Sequence, residues 1–156
     1  MPRYGRITKR KIPPDVVYGS VLVQKFINKM IMCGKKSKAE SVFYQAMEEI
    51  KRRLNKEPME IFEKAMGNAV PLLEVKARRV GGATYQVPVE ISKDRAQAVA
   101  MQWLRQAARV RPGKSMVENL ASELIDAYNN TGVAIKNREN LHKTAEANKA
   151  FAHFRW

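Results

Sequence analysis

Few side chains in this sequence could do covalent or metal chemistry. Cys33 is the only cysteine. It has no partner at C-x-x-C spacing, and His142 and His153 are not spaced as metal ligands. Cys33 therefore reads as a structural residue beside a helix stop, not as a nucleophile. Gly113-Lys114-Ser115 has the ending of a phosphate-binding loop. However, Ala108 stands where that motif needs its first glycine, and Pro112 intrudes, so the stretch reads as a loop ending in a helix N-cap. Gly34-Lys35-Lys36-Ser37 fails in the same way, with Lys29 at the first glycine position. No catalytic set, metal site or cofactor site emerges.

The chemistry that the sequence does supply is positive charge. There are 29 Lys+Arg against 15 Asp+Glu, a net charge of +14, and the isoelectric point is about 10.1. These cations gather where the chain turns. Arg3, Arg6, Lys9, Arg10 and Lys11 precede the first acid, Asp15. Further groups are Lys35, Lys36 and Lys38; then Lys76, Arg78 and Arg79; then Arg109, Arg111 and Lys114. Arg95, near the start of a helix, joins the candidate set. A solvated surface mixes its signs. Cations at loop tips suit phosphate, which long side chains and free backbone N–H groups reach together. An anionic membrane is the weaker alternative, because no apolar run approaches the roughly 18 residues of a spanning helix. Met1 to Ile12 is basic without an apolar stretch, unlike a secretory signal. Nucleic acid is the expected partner, and a lone cysteine fits a reducing compartment, the cytoplasm.

Helical periodicity must position most of these groups. Leu22, Phe26, Ile27, Met30 and Ile31 mark a first helix, stopped by Gly34. Ser37 to Glu40 has the S-x-x-E form of a capping box and predicts the start of a second, with Phe43, Met47, Ile50 and Leu54 inward. Pro58 suits the first turn of a third, with Ile61, Phe62, Ala65 and Met66 inside. After Pro71 the period falls to two. Leu73, Val75 and Ala77, then Tyr85, Val87, Val89 and Ile91, alternate around Gly81-Gly82 and spell a β-hairpin. Its base, Leu73, Val75, Val89 and Ile91, is expected to pack on helices. Lys76 and Arg78 should share one face and Arg79 the other.

Ser92 is a plausible N-cap for a helix with Ala96, Val99, Ala100, Trp103, Leu104 and Ala107 inside, ended by Arg111-Pro112-Gly113. Ser115 to Glu118 is a second capping box, opening a helix whose inner face includes Leu120, Ala121, Leu124 and Ile125. Asn129 to Gly132 stops it, and a last helix is expected from near Asn137. Met30, Met32, Met47, Met59, Met66 and Met101 read as core filler, and Phe43 and Trp103 as buried. The expected fold is mainly α: one domain over residues 1–156 of about six helices. It would carry a basic arm at residues 1–14, a β-hairpin at 72–91 and an aromatic-basic tail at 145–156.

Several stretches resemble the small-subunit ribosomal protein seven family. They are Asp15-Val16-Val17-Tyr18-Gly19-Ser20, Phe26-Ile27-Asn28-Lys29, Gly34-Lys35-Lys36-Ser37 with Val42-Phe43-Tyr44, and Arg78 through Glu90. The end, Ala145 through Trp156, matches as well. The resemblance covers nearly the whole chain and fits bacterial and plastid members alike. It implies a non-catalytic binder of the 3′ major domain of 16S ribosomal RNA that nucleates assembly of the small-subunit head. It implies a place at the tRNA exit site near the mRNA exit path, with Arg79, Gly81, Gly82, Ala83, Arg155 and Trp156 close to tRNA and mRNA. Small-subunit proteins nine, eleven, thirteen and nineteen would be neighbours. Gln102 and Thr144 depart from the family pattern, and Thr144 is expected to loosen the last helix. The competing reading is a DNA-architectural protein that embraces the duplex with its hairpin. Such a protein would want an apolar wedge where this chain has Gly81-Gly82-Ala83-Thr84.

Overall fold

The computed structural model describes residues 10–154. Among them, six α-helices, one hairpin and a terminal 3-10 helix follow in the order α1 (Val21–Met30), α2 (Lys36–Leu54), α3 (Pro58–Ala69), β1 (Leu73–Val80), β2 (Ala83–Glu90), α4 (Lys93–Val110), α5 (Met116–Tyr128), α6 (Gly132–Ala147) and the 3-10 helix (Lys149–Phe154). The fold is mainly α, as the periodicity predicts.

The core forms where the amphipathic faces meet. Phe26, Phe43 and Phe62, one from each of α1, α2 and α3, are fully buried. Their ring centroids lie 5.3 to 5.7 Å apart, within the range aromatic pairs prefer. Helix α5 is the hub, packing on α2, α3, α4 and α6. Helix α4 contributes small residues to the core, Ala100, Ala107 and Ala108 among them, all buried.

Several details differ from the sequence reading of these helices. First, α2 begins at Lys36, and Lys35 is its N-cap without a side-chain hydrogen bond. Ser37 therefore lies inside the first turn, and Glu40 pairs with Lys36 at 3.3 Å instead of closing a capping box. Second, α6 begins at Gly132, not near Asn137. The glycine that was expected to stop one helix opens the next. Third, Trp103 is only partly buried and packs against the core from its margin, whereas Phe43 is wholly enclosed. Met32 is 58% exposed and Cys33 is exposed too, so neither is core. Thr144 is exposed and donates to the Asn140 carbonyl.

The hairpin closes through Gly81-Gly82, both at positive φ (57° and 90°), the geometry a two-residue turn of primed type requires. Val80 pairs with Ala83, Arg78 with Tyr85 and Lys76 with Val87. Lys76 and Arg78 thus share a face, opposite Arg79, as expected. The same register corrects the reading of the base. Directly paired residues share a face, so Leu73 and Val75 lie on one side and Val87 and Val89 on the other. Leu73, Val75, Val89 and Ile91 are each only half-buried, and Val87 is the enclosed residue. The base packs on α6 and the 3-10 helix, while Ala77 to Arg79 and Gly81 to Thr84 are exposed.

Candidate nucleic-acid interface

Two of the basic turns are brought together by α4. At the C-terminus of α1 the Lys29 and Met30 carbonyls accept hydrogen bonds from Arg105 Nη1 (3.0 Å) and Arg109 Nη2 (3.3 Å). Cations there also oppose the negative end of the helix dipole. The chain then reverses through Cys33 and Gly34, both at positive φ. As a result Lys35 and Lys38 line the same groove as Arg109, and Met116 at the start of α5 lines it too. Burial lowers the pKa of Arg109, and the neighbouring Arg105 lowers it further; an arginine remains cationic at neutral pH even so. Lys114 is exposed on the turn just before α5, whose N-cap Ser115 accepts the Glu118 N–H at 3.3 Å as the sequence predicts.

Arg111 faces inward instead. Its Nε and Nη2 donate to Glu123 Oε2 at 2.9 and 2.5 Å, and Nη2 also reaches Asp126. Glu123 is fully buried, and its other oxygen accepts the Ala134 N–H at 3.0 Å. A carboxylate from α5 therefore satisfies the first turn of α6, which explains why no local motif marked that helix start. Gly132 is required here. It sits at φ +93°, and a Cβ would stand 3.1 Å from both Asp126 and Glu123. Arg111, a candidate phosphate ligand by sequence, is thus held in a structural network.

Arg95 and Lys76 are intermediate cases. Both pair with the buried Glu74, at 2.5 and 3.1 Å, yet their side chains are 62% and 50% exposed. Burial alone would raise the Glu74 pKa, but the hydrogen bonds from Arg95 and Lys76 outweigh it and hold the carboxyl below its ordinary value. The ion pairs fasten the start of α4 to the hairpin and leave both cations at the surface. Beyond them Arg78 and Arg79 flank the exposed Gly81, Gly82 and Ala83 at the tip. Lys36, paired with Glu40, is also exposed.

The N-terminal arm is fastened by a residue that sequence reasoning passed over. Asp15 is buried. Its Oδ2 accepts the Val17 and Tyr18 N–H groups, and its Oδ1 accepts the Tyr44 hydroxyl at 2.6 Å. Arg10 and Lys11 lead away from this anchor, and Arg10 lines a groove with Lys25 and Lys29 of α1. Lys25 and Lys29 were also missed; their one-turn spacing on the polar side of α1 was the available clue. Arg3, Arg6, Lys9, Arg155 and Trp156 lie outside the described residues. The rest of the aromatic tail is held by the hairpin: Phe151 and Phe154 pack on Tyr85, with centroids 5.0 and 5.3 Å away.

Among the described residues no group of His, Cys, Asp and Glu could hold a metal ion, and no helix is long and apolar enough to cross a membrane. The helical body thus carries cations at its helix ends and on an exposed hairpin, an arrangement suited to the phosphate backbone of a nucleic acid. The model of the family Ribosomal protein S7p/S5e matches residues 2–149, and the chain belongs to that family. The small ribosomal subunit protein uS7 of Chloroflexus aurantiacus is 61% identical over 154 residues, covering 99% of this chain and 98% of that protein. The uS7 proteins of Dictyoglomus turgidum and Moorella thermoacetica are each 56% identical over 156 residues, in both cases over the full length of both chains.

Proposed function

We propose that this chain is a non-catalytic structural constituent of the small ribosomal subunit that binds the 3′ major domain of 16S ribosomal RNA and nucleates assembly of the subunit head. The observation that carries the reading is the convergence of Lys35, Lys38 and Arg109 on one groove, in a chain whose relatives are named small-subunit ribosomal proteins. Arg3, Arg6, Lys9, Arg10 and Lys11 of the arm, with Lys36 and Lys114, extend that contact. Lys76, Arg78 and Arg95 extend it along the hairpin side. The protein then works in the cytoplasm as part of the ribosome, beside small-subunit proteins nine, eleven, thirteen and nineteen.

The hairpin tip has a separate role in this reading. Arg79, Gly81, Gly82 and Ala83, with Arg155 and Trp156, approach exit-site tRNA and mRNA. The exposed glycines let another backbone come close. Deleting Val80 to Thr84 and closing the turn with a glycine pair tests this division of labour. Assembly of the head should survive, while tRNA retention at the exit site weakens or frameshifting changes. Fully assembled subunits with both properties unchanged would refute the tip's role, and failed assembly would make the tip an anchor on ribosomal RNA. The broader reading is tested by sedimenting the tagged protein from lysate, where it should travel with small subunits.

A further inference from the structure

The groove that gathers Lys35, Lys38 and Arg109 is not itself polar. Its walls are Met30, Met32, Val42 and Met116, and it encloses about 370 Å³. That is within the range of small-ligand sites, typically about 300–1,000 Å³. Met32 is 58% exposed, although a methionine on a helix-ending turn has no local reason to face water. Among the described residues that line the groove none is acidic. The occupant should therefore be flat or apolar in its middle and anionic on its flanks. An unpaired nucleotide has that make-up: a ring without charge, with a phosphate on either side. Thioether sulfur makes favourable contacts with aromatic rings, and unbranched methionines adapt to a ring's outline. Single-stranded loops are where proteins take up splayed bases.

We propose that this groove receives one unpaired nucleobase of the bound RNA, its ring against Met30, Met32 and Met116 and its flanking phosphates on Lys35, Lys38 and Arg109. The proposal rests on the RNA-binding reading above and adds a base-recognising element to a surface otherwise composed of phosphate contacts.

The probe is a transcript of the 16S 3′ major domain, treated with dimethyl sulfate with and without protein. Wild-type protein should protect at least one unpaired base from methylation. Met32→Ala removes an exposed wall and Val42→Phe fills the groove. Each should restore that base's reactivity and weaken binding about tenfold, in line with the loss of a stacked base. The dependence of binding on salt should keep its slope, because no phosphate contact is lost. Thermal melts matching wild type would exclude misfolding, the outcome expected for the exposed Met32; Val42 also packs against the core, so if Val42→Phe melts early the Met32→Ala variant alone decides. Wild-type affinity and protection in both variants would overturn the proposal. So would a changed salt slope, which would mean that phosphates and not a base had been displaced. If both variants bind the transcript normally but reconstituted subunits lose a neighbouring protein, the occupant is an acidic-apolar protein segment and the proposal is wrong. Failure of the wild-type protein to bind the transcript at all would instead refute the functional reading beneath it.

Discussion

Single residues decide how firmly the basic surface is mounted, and the decisive ones are acids. Glu123 has no exposed surface, and Arg111 is its charge partner. Removing one member of a buried pair leaves the other uncompensated, so Arg111→Ala should cost about 3–5 kcal/mol in urea-induced unfolding. Glu74 gives a prediction in pH. Its folded pKa lies below the ordinary 4.5. The stability it contributes is therefore complete above pH 4.5 and is lost as pH falls through the folded value. Glu74→Gln should lower stability at neutral pH and shrink the difference from wild type on acidification, as followed by circular dichroism. If the difference holds constant into acid, Glu74 is not the titrating group. The aromatic residues of the core were legible in the sequence because helical period alone places Phe43 inward; Phe43→Ala should cost about 3–5 kcal/mol. Asp15 and Glu123 were not legible. A buried carboxylate is tolerated only beside its partners, and Tyr44 and Arg111 are brought to them by tertiary packing.

At the scale of elements, the period of the apolar pattern found the six α-helices and both strands but not the 3-10 helix of the tail, and the helix ends were where it failed. Helix ends depend on capping partners, which were local for α5, where Ser115 caps, but distant for α6, where Glu123 does. The hairpin's existence was legible from Gly81-Gly82, whereas its buried face was not. A two-residue turn pairs odd positions with even ones, so the apolar residues of the two strands fall on opposite sides. The hairpin has two supports, α6 and the 3-10 helix of the aromatic tail. Tyr85 makes the second support through Phe151 and Phe154. Tyr85→Ala should release the 3-10 helix Lys149–Phe154 while leaving the helical core intact. Hydrogen exchange should then rise at Phe151 and Phe154 and along β2, with little change at Phe43 or Leu124. Uniform loss of protection would instead mean that the clasp is integral to global stability.

For the whole molecule the question is which of the many cations act together on a polyanion. Net charge by itself predicts attraction without location, and location is what the fold adds. Arg52 and Arg53 are turned to their own helix, paired with Glu49 at 2.7 Å each, and Arg111 is held by Glu123 and Asp126. Lys35, Lys38 and Lys114 face outward at or beside turns and have no carboxylate partner of this kind among the described residues. Each phosphate contact releases counterions, so log K should fall with log salt by about 0.7–0.9 per contact. Replacing Lys35, Lys38 and Lys114 by Gln should therefore flatten the slope for the 16S 3′ major domain by roughly 2 units. Replacing Arg52 and Arg53 by Gln removes nearly as much charge but should leave the slope close to wild type. Substituting Arg3, Arg6, Lys9, Arg10 and Lys11 together should flatten it further if the arm lies on RNA. The measurement is a filter-binding or anisotropy titration at several salt concentrations, with melts of each variant to exclude unfolding. Equal flattening by the Arg52/Arg53 pair and the lysine set would mean that RNA senses only the overall field of the protein, and that the gathering of cations at the turns has no part in recognition.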